Sequence, residues 1–272
     1  MVPANPACPD VSGAYAGAKT LLANQVFLVP DMHPFVTSLL QIEPPKTWSL
    51  IATMFGDLDG DSLSGKQIGA LLADAGIKPE ASRVALHRLR SDGWIVSHKT
   101  GREVSYALSD RGRAETFAAQ KDVYRRDVKF SAGWQVYALD PGAPMDACGG
   151  ITLGRNLVLA PEGKDFADAL TLSLADGDLP QWVADTLVAP HLLHQAHVLA
   201  DLAACFEDVS GKLTAANATT ARILFIHFWR KMALRTGVWA HISLVPSGEM
   251  ARCHRVVTDL LDRTDQLTPP EI

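Results

Sequence analysis

Arg83, His87 and Arg90 recur at i, i+4 and i+7, a spacing that lines three side chains along one face of a helix. Val84 and Arg88 flank them. Guanidinium groups presented in this way can pair with guanine O6 and N7 or clamp phosphates, and a valine among them can touch a thymine methyl group. The other side of the same stretch is apolar, with Ala81, Ala85 and Leu89 in line and Ser82 and Leu86 beside them. A solvated basic face on an ordinary surface helix is the competing reading. Downstream, Lys99 and Arg102 surround Gly101, whose tolerance of positive φ suits a tight hairpin. Cations at such a tip can lie along a phosphate backbone and supply affinity that ignores sequence. An ordinary Gly-Arg turn would look the same.

The neighbouring sequence decides between these readings. Thr47 to Phe55 carries Trp48, Ile51, Ala52 and Phe55 at helical spacing, and Gly56 with the acidic run Asp57 to Asp61 ends it. Ser64 caps a second helix, with Gln67 completing a capping-box pattern, and that helix runs to about Ala75 before Gly76. Pro79 starts a third helix that reaches Arg90 or Ser91 and ends near Gly93. Two β-prone runs follow, Trp94 to Lys99 and Glu103 to Leu108, and then a helix near Arg113 to Tyr124. Helix, helix, short turn, helix, hairpin is the order of a winged helix-turn-helix, here at about Trp48 to Arg113.

Further along, Trp134 to Leu139, Ile151 to Leu159 (bent at Gly154) and Ala169 to Leu174 read as strands. The segment Asp140 to Gly150 is too rich in Pro and Gly for a helix. From Gln181 the pattern turns helical, with Gln181 to Leu187, Pro190 to Val209, Thr214 to Thr236 and Gly248 to Asp262. His191, His194 and His197 share one helical stretch, but no acidic or cysteine partner in the pattern completes a ligand set, and no metal is expected. His227, Trp229, Arg230, Lys231 and Arg235 form a polar and aromatic group on an otherwise apolar helix. Arginines pairing across a domain or dimer interface are one reading, because Arg and Trp are enriched there; the wall of an anion-binding effector pocket is the other.

Composition narrows the classes. The 272 residues carry 47% hydrophobic and 20% charged side chains, which suits a folded soluble chain, and no apolar run reaches membrane-spanning length. The N-terminal stretch Met1 to Pro30 reads as a loose arm rather than a signal peptide. Cys8, Cys148, Cys205 and Cys253 are scattered without a C-x-x-C pair, which fits free thiols and a cytoplasmic location. Net charge is −5, yet Lys46 to Phe130 holds 14 Lys/Arg against 11 Asp/Glu while the rest holds 11 against 19. One mildly basic block within an acidic chain suits contact with an anion. No Gly-rich phosphate loop, G-x-S-x-G elbow or H-E-x-x-H supports an enzyme. Asp57, Asp59 and Asp61 alternate as in a calcium loop, but no glutamate stands at the twelfth position.

The chain also resembles the PaaX-like regulators, named for the repressor of phenylacetic acid degradation. Thr47-Trp48-Ser49-Leu50-Ile51-Ala52-Thr53-Met54-Phe55-Gly56-Asp57 is similar to that family's opening. Arg83-Val84-Ala85-Leu86-His87-Arg88-Leu89 with Asp92-Gly93-Trp94 resembles its recognition helix and the start of its next strand. Gly101-Arg102, Ser105-Tyr106-Ala107-Leu108-Ser109 and Gly112-Arg113 resemble its wing, and Leu224 to Arg230, running on to Arg235, resembles its last helix. The resemblance implies a homodimeric repressor of a catabolic operon that binds a palindromic operator on double-stranded DNA and releases it on binding an aryl-CoA thioester. It also implies a small ferredoxin-like middle domain, whose arginine-bearing helix is replaced here by Asp140 to Gly150, poor in basic residues.

The expected fold is α+β, with an N-terminal winged helix-turn-helix, a reduced ferredoxin-like middle domain and an α-helical C-terminal domain. Residues 1–45 would form an arm and short helix, 46–125 the DNA-binding domain, 126–180 the middle domain and 181–272 the helical domain. Arg83, Val84, His87, Arg88, Arg90, Lys99 and Arg102 are the expected DNA contacts. His227, Trp229, Arg230 and Arg235 are the expected effector or interface residues, with an acyl-CoA or aromatic acid as effector. No cofactor and no membrane partner is expected. The alternatives are an adaptor that uses the winged helix for protein contacts and a ligand-binding protein centred on the C-terminal half.

Overall fold

A computed structural model describes residues 32–128, 133–142, 150–174 and 180–270. The arm 1–31 with Cys8, and the part of Asp140 to Gly150 that holds Cys148, fall outside the described residues. Helices and small antiparallel sheets are mixed, so the fold is α+β.

Helix α1 (Pro34–Ile42) and helix α2 (Thr47–Asp57) come first, separated by Pro44 and Pro45. Strand β1 (Ser62–Ser64) then leads into α3 (Gly65–Asp74). The Ser64 side chain accepts from the Gln67 backbone N–H at 3.1 Å, and the Gln67 side chain accepts from the Ser64 N–H at 2.8 Å. This reciprocal box satisfies two donors that a helix start leaves open. Helix α3 ends on Gly76 at φ 72, with Ile77 N–H donating to the Leu72 carbonyl and Gly76 N–H to Ala73, the pattern of a Schellman cap. Pro79 opens α4 (Pro79–Ser91), where its missing N–H costs nothing. Gly93 at φ 69 ends α4 the same way, Trp94 N–H donating to Leu89 and Gly93 N–H to Arg90.

Strands β2 (Ile95–Thr100) and β3 (Glu103–Leu108) pair across the two-residue turn Gly101-Arg102, with Thr100 opposite Glu103. Gly101 has φ 64 and Arg102 is not in the positive-φ region, as a type II′ hairpin requires. Strand β1 adds to the free edge of β3, giving the order β1-β3-β2. Ser109 caps α5 (Asp110–Val123) by accepting from the Gly112 N–H.

Beyond α5, β4 (Trp134–Ala138), β5 (Ile151–Thr152), β6 (Leu157–Pro161) and β7 (Leu170–Ser173) form a second sheet in the order β5-β6-β4-β7, every neighbour antiparallel. The run expected as one bent strand, Ile151 to Leu159, is a hairpin instead. Leu153 N–H bonds the Leu157 carbonyl, and the chain reverses through Gly154, Arg155 and Asn156. Among the described residues no helix lies between these strands. Alternation splits the sheet: Tyr137, Leu139, Val158 and Ala160 pack together, while Leu159 joins the main core.

Helices α6 (Gln181–Leu187), α7 (Pro190–Ser210), α8 (Ala215–Ala233), α9 (Val238–Leu244) and α10 (Glu249–Arg263) complete the chain. Helix α8 is buried almost all round from Thr220 to Trp229, as expected of a helix with apolar residues on every side. It packs on α1, α2, α3 and α5 as well as α7, α9 and α10, so one continuous core joins both ends of the chain.

Candidate nucleic-acid interface and effector cleft

Helix α4 is divided as its sequence implies. Ser82, Ala85, Leu86 and Leu89 are buried against α2 and α3, while Arg83, Val84, His87, Arg88 and Arg90 are exposed. Val84 is 69% exposed. Arg83 approaches Glu80 at 4.0 Å and Arg88 approaches Asp92 at 3.6 Å, with all four side chains more than half exposed. Such pairs hold little energy and open readily for a phosphate or a base edge. At the hairpin tip Lys99, Gly101 and Arg102 are exposed.

The base of the hairpin is locked to α5. Ser109 Oγ donates toward the Gly93 carbonyl at 2.7 Å, and Arg113 bonds the Leu108 carbonyl at 2.8 Å. Gly112 passes so close to Trp94 that a Cβ there would stand 2.2 Å from the Trp94 carbonyl oxygen. The exit of α4, the hairpin and the start of α5 therefore move as one piece.

The C-terminal candidates fall into three settings. Trp229 is wholly buried, donates its indole N–H to the Val123 carbonyl at 2.9 Å and packs edge-on against Trp239. It thus ties α8 to the end of α5. His227 is buried beside Thr53, with its Nδ1 at 3.4 Å from the Thr53 hydroxyl. Burial, and then the Lys231 and Arg230 charges, push its pKa down to about 3, so the ring is neutral. Arg230 is half-buried in the last turn of α8 and Arg235 is exposed.

His227, Arg230 and Arg235 meet at one cavity of about 290 Å³, lined also by Glu43, Lys46, Trp48 and Lys231. A second cavity of about 360 Å³ lies between α2, α4, α5 and α8. The two share Trp48, Arg230 and Leu234, so Arg230 stands on their common wall. Trp48, Trp94 and Thr116 were not singled out as site residues from the sequence, because they come to line one cavity with Arg230 only through the packing of α2 on α4 and of α2 and α5 on α8.

Among the described residues no group of three or more His, Cys, Asp or Glu is placed to hold a metal ion, and no helix is long and apolar enough to cross a membrane. His197 lies within 3.4 Å of Asp201 and 3.1 Å of Glu249, and Arg252 joins the same ion-pair network. Cys205 and Cys253 are buried and in no disulfide among the described residues, and burial pushes the Cys253 thiol pKa up, away from reactivity.

Residues 46–112, which hold α2 to the start of α5, match the family model of the PaaX-like proteins. Over a longer span the chain is similar to the transcriptional repressor PaaX of Escherichia coli (strain K12), 24% identical over 240 residues, which cover 75% of this chain and 76% of that protein. These likenesses support a transcription regulator.

Proposed function

We propose that the protein is a DNA-binding transcription repressor in which α2 to α5 act as a winged helix-turn-helix. The observation that carries this reading is the division of α4, with five exposed DNA-contact candidates above four buried residues. Helix α4 enters the major groove, where Arg83, His87 and Arg90 meet base edges and phosphates, Val84 meets a thymine methyl group and Arg88 lies at the flank. Lys99 and Arg102 run along the neighbouring backbone. Two copies in a homodimer present their α4 helices to half-sites of a palindromic operator about one DNA turn apart. The strand order β5-β6-β4-β7, with no helix between these strands among the described residues, supports a reduced ferredoxin-like middle domain. An effector such as an acyl-CoA, an aryl-CoA thioester or an aromatic acid favours one of two dimer geometries and so changes operator affinity.

Fluorescence anisotropy on genomic fragments recovered with the protein tests this reading. Arg83→Ala is expected to cost about 1–3 kcal/mol at the selected site and to relax its specificity. Arg102→Ala is expected to weaken all sequences alike and to lower the salt slope by about one. A chain that neither selects a sequence nor binds mixed DNA or heparin at low salt would instead be an adaptor.

A further inference from the structure

Among the described residues Arg230 is a charge with no carboxylate partner. It is half-buried, and burial lowers its pKa. Among the described residues its polar contact is the Ser49 hydroxyl at 3.5 Å, too long for a strong bond, and no carboxylate reaches it. A guanidinium partly removed from water without a counter-ion is destabilising, and the α8 C-terminus offers partial compensation. The carboxylates around it are already engaged: Glu43 with Lys231, Asp92 with Arg88 and Glu115 with Arg111. Beside Arg230 the larger cavity has an apolar lining of Trp48, Ala52, Leu89, Trp94 and Ile226. Thr116, on the same wall, holds a buried hydroxyl that has no hydrogen-bond partner.

We infer that this cleft is a binding site for a small monocarboxylate with an aromatic body, the carboxylate pairing with Arg230 and the ring lying against Trp48 and Trp94. The inference deepens the effector reading above by choosing a free acid over a CoA thioester. One uncompensated guanidinium matches one negative charge, and a bidentate carboxylate fits its planar fork. A cavity of about 360 Å³ takes a ligand at the small end of the usual range, whereas a CoA thioester is larger and brings several phosphate charges. Besides Arg230 the cations lining this cavity are Arg88 and Arg111, both 67% exposed and set toward Asp92 and Glu115, so its enclosed part offers a single guanidinium. Leu89, Arg88 and Asp92 form part of the wall at and just beyond the end of α4, so the bound acid touches the helix that carries the DNA-contact candidates.

Calorimetric titration of the full chain, without DNA, tests the site whatever becomes of the DNA reading. Benzoate and phenylacetate are the probes, with benzamide as a neutral isostere, inorganic phosphate as a plain anion and benzoyl-CoA as the thioester. The acids are expected to bind about tenfold or more tighter than benzamide and phosphate, the size of one charge-assisted hydrogen bond. Arg230→Gln is expected to lose the acids by a similar factor while its melting temperature holds or rises, because an unpaired buried charge is removed. Arg230→Lys is expected to recover part of the binding. Absence of acid binding at millimolar concentration, acid affinity that survives Arg230→Gln, or benzoyl-CoA binding tighter than both acids overturns the proposal. A melting temperature that falls sharply in both variants would assign Arg230 a structural role and overturn it as well.

Discussion

His227 shows how position on a helix overrides the chemistry of a residue type. A histidine beside two cations and a cavity invites a reading as a proton switch, yet its ring sits in the core against Thr53 and Phe228. Desolvation is the first cause of its lowered pKa, with Lys231 and Arg230 adding to it and Glu43 opposing. The folded ring protonates only near pH 3, the unfolded ring near its ordinary 6.5. Between these values the unfolded state binds more protons, so the stability due to the neutral ring is present above about pH 6.5 and declines as pH falls. From pH 6.5 to 4.5 this loss amounts to about 2 kcal/mol. Urea titrations of the wild type and His227→Gln at both values should show the wild type losing that much more than the variant. Equal losses would mean that the ring is already solvated at pH 6.5. His241 and His254, also lowered by burial, remain in both proteins and cancel.

At the scale of elements, the α3–α4 region was legible because each boundary has local chemistry: the Ser64/Gln67 box, Gly76, Pro79, Gly93 and the Gly101 hairpin all act within a few residues. Strand β1 was hidden, since Ser62-Leu63-Ser64 has too few residues to show a period and exists only through its pairing with β3. The β5–β6 hairpin read as one strand because both arms are apolar and the reversal takes three residues. Helix α9 is short and begins at Gly237, whose φ of 89 looks like a stop signal in sequence. Of the C-terminal candidates, the helical group was visible, but not how it divides: successive residues point about 100° apart, so Trp229 goes inward while Arg230 lines the cleft. Two helical glycines test the element picture with opposite signs. A Cβ added to Gly69 in α3 would meet no atom within 4 Å, so Gly69→Ala should stabilise by about 0.5–1 kcal/mol through helix propensity. Gly112 faces the Trp94 carbonyl, so Gly112→Ala should destabilise by about 2 kcal/mol or more, because backbone has to shift. Thermal melts of the two variants check both, and a neutral Gly112→Ala would show that the hairpin base is not locked to α5.

Across the whole molecule, the candidate DNA-contact region and the C-terminal helices are joined by one buried ion pair. Asp57, at the end of α2, is fully buried and accepts two bonds from Arg222 of α8, at 2.8 and 2.7 Å. It also accepts from the Tyr124 hydroxyl after α5 and from the Leu267 N–H beyond α10. Arg222 bonds the Leu261 and Thr264 carbonyls in turn. Four segments far apart in sequence therefore meet at two side chains, and removing one leaves the other charged and unpaired in the core. Arg222→Ala is expected to cost about 3–5 kcal/mol, and Asp57→Ala a similar amount. The double variant Asp57→Leu/Arg222→Met should cost clearly less than the two single losses together, because neither charge is stranded. It should not recover the wild-type value, since the Tyr124 hydroxyl and the Thr264 carbonyl lose their partners. The continuous core further implies that the wild type melts in one calorimetric transition, and that weakening this junction by Arg222→Ala broadens or splits it. Two well-separated transitions in the wild type, or single-variant losses that simply add in the double, would mean that the halves of the chain fold without each other.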